Sequence, residues 1–143
     1  RLMTYDYETL SILFRRIYGR HYLWLRFGVK ISPILDTWYL SSLCDLFNIY
    51  GFIIGYIVCS NTIPNCIVFN SADGTNVLGC GNSGGIGGTP LRAISLGMIT
   101  YMRPLLYENI AIIGCGGVGT PTDVEQYLAC GSSAVQCGSI FMH

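Results

Sequence analysis

Residues 110–139 read IAIIGCGGVGTPTDVEQYLACGSSAVQCGS. The run at 110–114 is short and rich in isoleucine, and it stops in a glycine cluster. Thr120 suits a helix N-cap, Pro121 the first helical position, Asp123 the positive end of the dipole, and Gly131 the exit. A second short run, SAVQCG at 133–138, stops at Gly138-Ser139. Strand, helix and strand, with glycines closing both strands, form one unit of an α/β fold with parallel strands and helical crossovers.

Toward the N-terminus the unit recurs. LRAISLGMITYMRPLL (91–106) reads as a helix up to Pro104, and FIIGYIVC (52–59) as a buried strand. TWYLSSLCDLFN (37–48) carries Leu40, Leu43, Cys44 and Phe47 at helical spacing, and LRFGVKIS (25–32) is a strand ending near Pro33. Residues 5–18 put Leu10, Leu13, Phe14 and Ile17 on one helical face, with Asp6 and Glu8 at its start. From 60 to 91 the chain is rich in Asn, Ser, Gly and Pro and reads as a long loop, with a hairpin turn at Asp73-Gly74. The predicted order is helix, strand, helix, strand, long loop, helix, strand, helix, strand, in one domain over 1–143.

Composition narrows the function. The 143 residues suffice for one core; 51% are hydrophobic and only 11% charged. Eight basic and eight acidic residues cancel, leaving no basic footprint for nucleic acid. Seven cysteines (44, 59, 66, 80, 115, 130, 137) form no C-x-x-C pair, and the only histidines are His21 and His143, so no zinc site is expected. The odd cysteine count reads as reduced thiols of a cytosolic protein, acting mostly as small buried hydrophobes. LFNIYGFIIGYIVCS (46–60) is too short for the roughly 20 apolar residues of a membrane span, and Asn48, Gly51 and Gly55 interrupt it. Arg1 stands where an initiator Met would, which reads as an interior start.

In parallel α/β folds ligands sit beyond the carboxyl ends of the strands. Gly114, Gly116 and Gly117 follow one strand and Gly138-Ser139 the next. Adjacent strands would set these turns side by side, where phosphate oxygens could approach N–H donors and the Ser139 hydroxyl. A side chain placed at 117 would then point at the phosphate, so Gly117→Val should abolish binding and spare the fold. The same glycines also suit plain tight turns. GCGGVG fits G-x-G-x-x-G at 114–119, but the acidic residue of a dinucleotide fingerprint is missing: the next strand ends at Gly138-Ser139. Lys30, the only lysine, ends the first strand; Asn61 and Thr62 end the second; NSGGIGG (82–88) adds another glycine cluster. A solvated lysine and an ordinary turn are the plainer readings of each, but four strand ends pointing the same way favour a site.

In order and spacing, FGVKISP, YIVCSNTIPN, SGGIGG, the 112–139 stretch and YDYETLSILF resemble the class 1A dihydroorotate dehydrogenases, over essentially all 143 residues. The resemblance implies a cytosolic, homodimeric FMN enzyme on a β/α barrel that oxidises dihydroorotate to orotate in pyrimidine biosynthesis, with fumarate as electron acceptor. It implies a partial TIM (β/α)8 barrel, strands five to eight with their crossover helices. Position by position, Lys30 is similar to the lysine beside the flavin N1/O2 edge, and Ser60 to the residue whose backbone abuts the flavin. Asn61 and Thr62 resemble the pair holding the pyrimidine. Gly88 matches the last glycine of the cofactor loop, and Gly116, Gly117, Gly138 and Ser139 match the FMN phosphate site.

The sequence departs from the family at Pro64, where SIGNG becomes TIPNC, and at Leu78 and Cys80, which replace lysines. No cysteine matches the family's catalytic base, which lies upstream of the segment matching Arg1, so no catalytic residue is assigned. Two functions remain open: part of a dehydrogenase, inactive in isolation, or a non-catalytic half-barrel that binds FMN or another phosphate.

Overall fold

The computed structural model describes residues 3–19, 25–79 and 81–141. After a short 3-10 turn (Met3–Tyr5), the order is α1 (Tyr7–Gly19), β1 (Phe27–Ile31), α2 (Thr37–Ile49), β2 (Ile54–Cys59), β3 (Ile63–Cys66), β4 (Gly84–Ile86), α3 (Thr89–Met102), β5 (Ala111–Cys115), α4 (Pro121–Ala129) and β6 (Ala134–Gln136). A last 3-10 turn covers Ser139–Phe141. Strands β1, β2, β5 and β6 pair in that order, all parallel, with a helix in every crossover. This is the expected α/β alternation.

The unit read first from sequence folds as its caps dictate. Thr120 accepts from the Asp123 N–H while the Asp123 carboxylate reaches back to the Thr120 N–H, a reciprocal capping box, and Pro121 opens α4. Asp36 caps α2, accepting from Trp38 and Tyr39 N–H groups at 2.9 and 3.3 Å. The strand expected from residue 52 starts at Ile54, because the Ile53 and Ile54 N–H groups both close a turn on the Tyr50 carbonyl.

One element was not foreseen. The long loop contains a two-stranded antiparallel sheet in which Ile63 pairs with Ile86 and Cys66 with Gly84. Pro64 and two glycines hide it, since such short strands show no alternation. The expected turn at Asp73-Gly74 does form, closed by Asn70 N–H to Thr75 O at 2.8 Å and a bridge between Phe69 and Asn76.

One hydrophobic cluster joins all four helices to the sheet: Leu10 and Phe14 of α1, Leu43 and Phe47 of α2, Ile99 and Met102 of α3, and Tyr127 of α4, against Ile31, Ile57 and Ile112. Leu13, expected on that face of α1, is exposed. Strand alternation turns Ile57, Cys59, Ile112 and Gly114 toward the helices. Lys30, Val58, Ile113 and Cys115 consequently face the other way; Val58 is buried yet lies outside the helix-side cluster.

Candidate functional site

Parallel strands end on one side, so the segments following β1, β2, β5 and β6 converge. Ser60 N–H donates to Cys115 O at 3.0 Å and Asn61 N–H to Ile31 O at 2.8 Å. These bonds extend the ladder two residues beyond β2 and fix 60–61 between its neighbours. A cleft of about 550 Å³ opens there. Lys30, Ser60, Asn61 and Thr62 line it. Gly88, Gly116, Gly117, Gly138 and Ser139 line it as well. All nine residues singled out from sequence thus meet in one place.

Each is held differently. Ser60 is 1% exposed, its Oγ 2.9 Å from Ser95 Oγ, so it offers the cleft its backbone rather than its hydroxyl. Thr62 packs on β4, where a Cβ at Gly85 would lie 2.4 Å from Thr62 Oγ1. Lys30 is exposed and, among the described residues, is the only charged side chain lining the cleft. The one salt bridge among the described residues is Arg92–Asp123, so no carboxylate among them neutralises Lys30.

A hollow of about 320 Å³ continues from the cleft, bounded by Gly88, Thr89, Gly117 and Ser139. Helix α3 starts against it, with Gly88 as N-cap and no side chain capping its first turn. Pro90 in its first turn has no N–H and the Leu91 N–H is bonded to Gly88 O at 3.0 Å, so this start offers an anion chiefly the positive potential of the helix end. Helix α4 differs, since its capping box already serves its first turn. The start of α3, not that of α4, is therefore the helix end left without a side-chain cap beside the two glycine turns.

Two glycines do other work than sequence reasoning gave them. Gly114 faces the helices: a Cβ there would lie 2.3 Å from the Tyr127 ring, so it makes room for Tyr127 and takes no part in the cleft. Gly117 has φ +66°, and its Cβ would meet Gly88 O at 2.7 Å and Thr89 Cα at 2.9 Å. A side chain at 117 would strike the start of α3. The expectation that Gly117→Val spares the fold is overturned.

Pro64 and Leu78 do not line the cleft, and Cys80, like both histidines, lies outside the described residues. Cys115 and Gln136 line it without having been foreseen. They are paired neighbours on β5 and β6, so extending the inward alternation of β5 by one step would have found Cys115. The six described cysteines are free. Burial pushes the Cys44 thiol up to about 12 and also raises that of Cys59. Among the described residues no cluster could hold a metal ion, and no helix is long and apolar enough to cross a membrane.

The family model for dihydroorotate dehydrogenase matches residues 21–143. The chain belongs to the dihydroorotate dehydrogenase family. A relative from Streptococcus agalactiae, described as dihydroorotate dehydrogenase A (fumarate), is 31% identical over 138 residues, 96% of this chain and 43% of the relative. One of the same description from Streptococcus equi is 30% identical over 138 residues, 96% of the chain and 42% of the relative. The chain thus spans less than half the length of these curated relatives. In fold it matches a dihydroorotate dehydrogenase from Eimeria tenella, crystallised with ferulenol, at TM-score 0.63 and 24% identity over 80% of this chain and 29% of that one. The parallel sheet with helical crossovers is accordingly part of a dihydroorotate dehydrogenase-like β/α barrel.

Proposed function

We propose that this chain supplies strands five to eight of an FMN-dependent dihydroorotate dehydrogenase barrel and carries half of its flavin pocket. The observation that carries the reading is the convergence of Lys30, Ser60-Asn61-Thr62 and the glycine turns on one cleft beside an uncapped helix start. The residues fit the cofactor. The hollow between Gly88, Gly117 and Ser139 has the positive helix end and the hydroxyl that suit a phosphate. The wider cleft, with one cation and amide and hydroxyl groups, suits a planar heterocycle.

Bound FMN supplies a two-electron acceptor, so that dihydroorotate gives up a hydride and a proton and becomes orotate. Lys30 would lie along the N1/O2 edge of the ring, where its charge favours the electron-rich reduced state. Asn61 and Thr62 would hold the pyrimidine through amide and hydroxyl hydrogen bonds. The proton needs a base, and no cysteine of this chain matches the family's, so the base would come from the other half of the barrel. Fumarate as acceptor, a homodimer of complete barrels and a cytoplasmic location follow from the family resemblance and belong to the same proposal.

The test is to titrate FMN into the purified 143-residue chain, following quenching of flavin fluorescence, and then to add dihydroorotate. Binding without bleaching of the flavin is expected. Absence of binding refutes the cofactor site, while turnover above the free-flavin background refutes the assignment of the base to the other half-barrel.

A further inference from the structure

Beneath the cleft lies a row of buried hydroxyls. Tyr127 Oη donates to the Gly116 carbonyl at 2.6 Å. Ser95 on α3 lies beside the same turn, its Oγ 3.2 Å from where a Cβ on Gly116 would stand and 2.9 Å from Ser60 Oγ. Ser60 in turn donates to Asn61 O at 3.1 Å. Ser95 and Tyr127 are 0% exposed and Ser60 is 1%. The row runs under the cleft floor from the turn after β2 to the turn after β5. Neither Ser95 nor Tyr127 lines the cleft.

We infer that Tyr127 and Ser95 are positioning residues for the anion-binding turn, giving the site its preference for a phosphorylated ligand; this rests on the reading of the cleft as an FMN site. The argument turns on peptide geometry. In a planar trans peptide the carbonyl and the following N–H point in opposite directions. Tying Gly116 C=O into the core on Tyr127 therefore turns the Gly117 N–H away from the core, and Gly117 lines both the cleft and its hollow. Glycine has no side chain to hold that plane. At φ +126° and +66°, Gly116 and Gly117 lie in glycine's wide conformational range, and the Tyr127 bond narrows the direction of the donor. Arg92 Nη1 reaches Gly117 O at 3.4 Å and supports the next peptide in the same sense.

The isosteric variant Tyr127→Phe keeps the ring packed on Gly114 and removes the anchor. FMN and riboflavin, which differ only in the phosphate, are the probes, each titrated by fluorescence quenching. FMN should bind about tenfold more weakly, the loss of one buried hydrogen bond, with riboflavin unchanged. Ser95→Ala gives an independent reading should the tyrosine variant fail to fold: the preference for FMN over riboflavin should fall about threefold. A folded variant that keeps the wild-type preference, or loses affinity for both flavins equally, overturns the inference while leaving the FMN site standing. A wild-type chain that binds neither flavin overturns the site and the inference together.

Discussion

The glycine turns separate fold from function, and a pair of single substitutions measures the separation. Gly117→Ala places a methyl where φ is +66°, a region that costs an L-residue about 1–2 kcal/mol. That methyl would also lie 2.7 Å from Gly88 O and 2.9 Å from Thr89 Cα, both main-chain atoms that cannot rotate away. Overpacking of this kind adds about 1–3 kcal/mol. The sum, about 2–5 kcal/mol, is large against the stability of a domain this size. Gly138→Ala is the control in the opposite sense. A Cβ there meets nothing within 4 Å and the backbone needs no left-handed angle, so stability should stay within about 0.5 kcal/mol.

Urea denaturation followed by circular dichroism gives the stability of both variants, and FMN titration gives their affinity. Gly117→Ala should lower the midpoint strongly. Gly138→Ala should keep the midpoint and weaken FMN about tenfold, since the new methyl would enter open space at a residue lining the cleft proposed for FMN. A Gly117→Ala protein as stable as wild type would refute the close approach of this turn to α3. A Gly138→Ala protein that is stable and binds FMN normally would refute the phosphate contact at the end of β6.

Lys30→Ala, in a barrel restored to full length, should slow flavin reduction about 10²-fold while leaving FMN retention nearly intact if, as proposed, the cation serves the reduced ring and the turns hold the phosphate; equal rates by stopped-flow absorbance would place Lys30 in solvent. Thiol labelling at pH 8 should modify the exposed Cys137 quickly and leave the buried Cys44 and Cys59 unmodified until the chain unfolds. The pH dependence follows from the same burial: the folded chain holds the Cys44 proton up to about 12 and an unfolded thiol releases it near 9.0, so this stabilisation is complete below pH 9 and is lost as pH rises toward 12. Stability that is flat across that range would count against the burial of Cys44.

The order of elements was legible because the core helices are periodic and well punctuated. Leu40, Leu43, Cys44 and Phe47 repeat at helical spacing and are all buried; Thr120, Pro121 and Asp123 announce α4 and build its cap. The site residues were legible for a related reason: in a parallel sheet every strand end faces the same way, so Lys30, Asn61 and the glycine turns had to meet. What stayed hidden depends on partners remote in sequence. Gly114 and Gly116 look alike in GCGGVG, yet one makes room for Tyr127 and the other offers it a carbonyl. The β3–β4 ladder joins residues some twenty positions apart through proline and glycine, the two residues least able to signal a strand.

The far end of the sheet explains why such a glycine-rich end can hold its shape. Arg26 Nη2 donates to the carbonyls of Gly51, Ile54 and Asn109 at 2.9–3.2 Å, joining the entrances of β2 and β5 just ahead of β1. Arg103 does the same for Leu106, Tyr107 and Ile110, each at 2.9 Å. Asn48 links α2 to the Leu105 carbonyl and the Tyr107 N–H. Charge-assisted bonds to main-chain carbonyls are among the stronger hydrogen bonds available to a protein, and here they fix the strand starts without using space near the cleft. With the starts clamped and the middle packed, the relative height of the strand ends is set by register: Val58 opposite Ile113, and Cys115 opposite Gln136. The turns beyond can then dispense with side chains, as the proposed cofactor site requires.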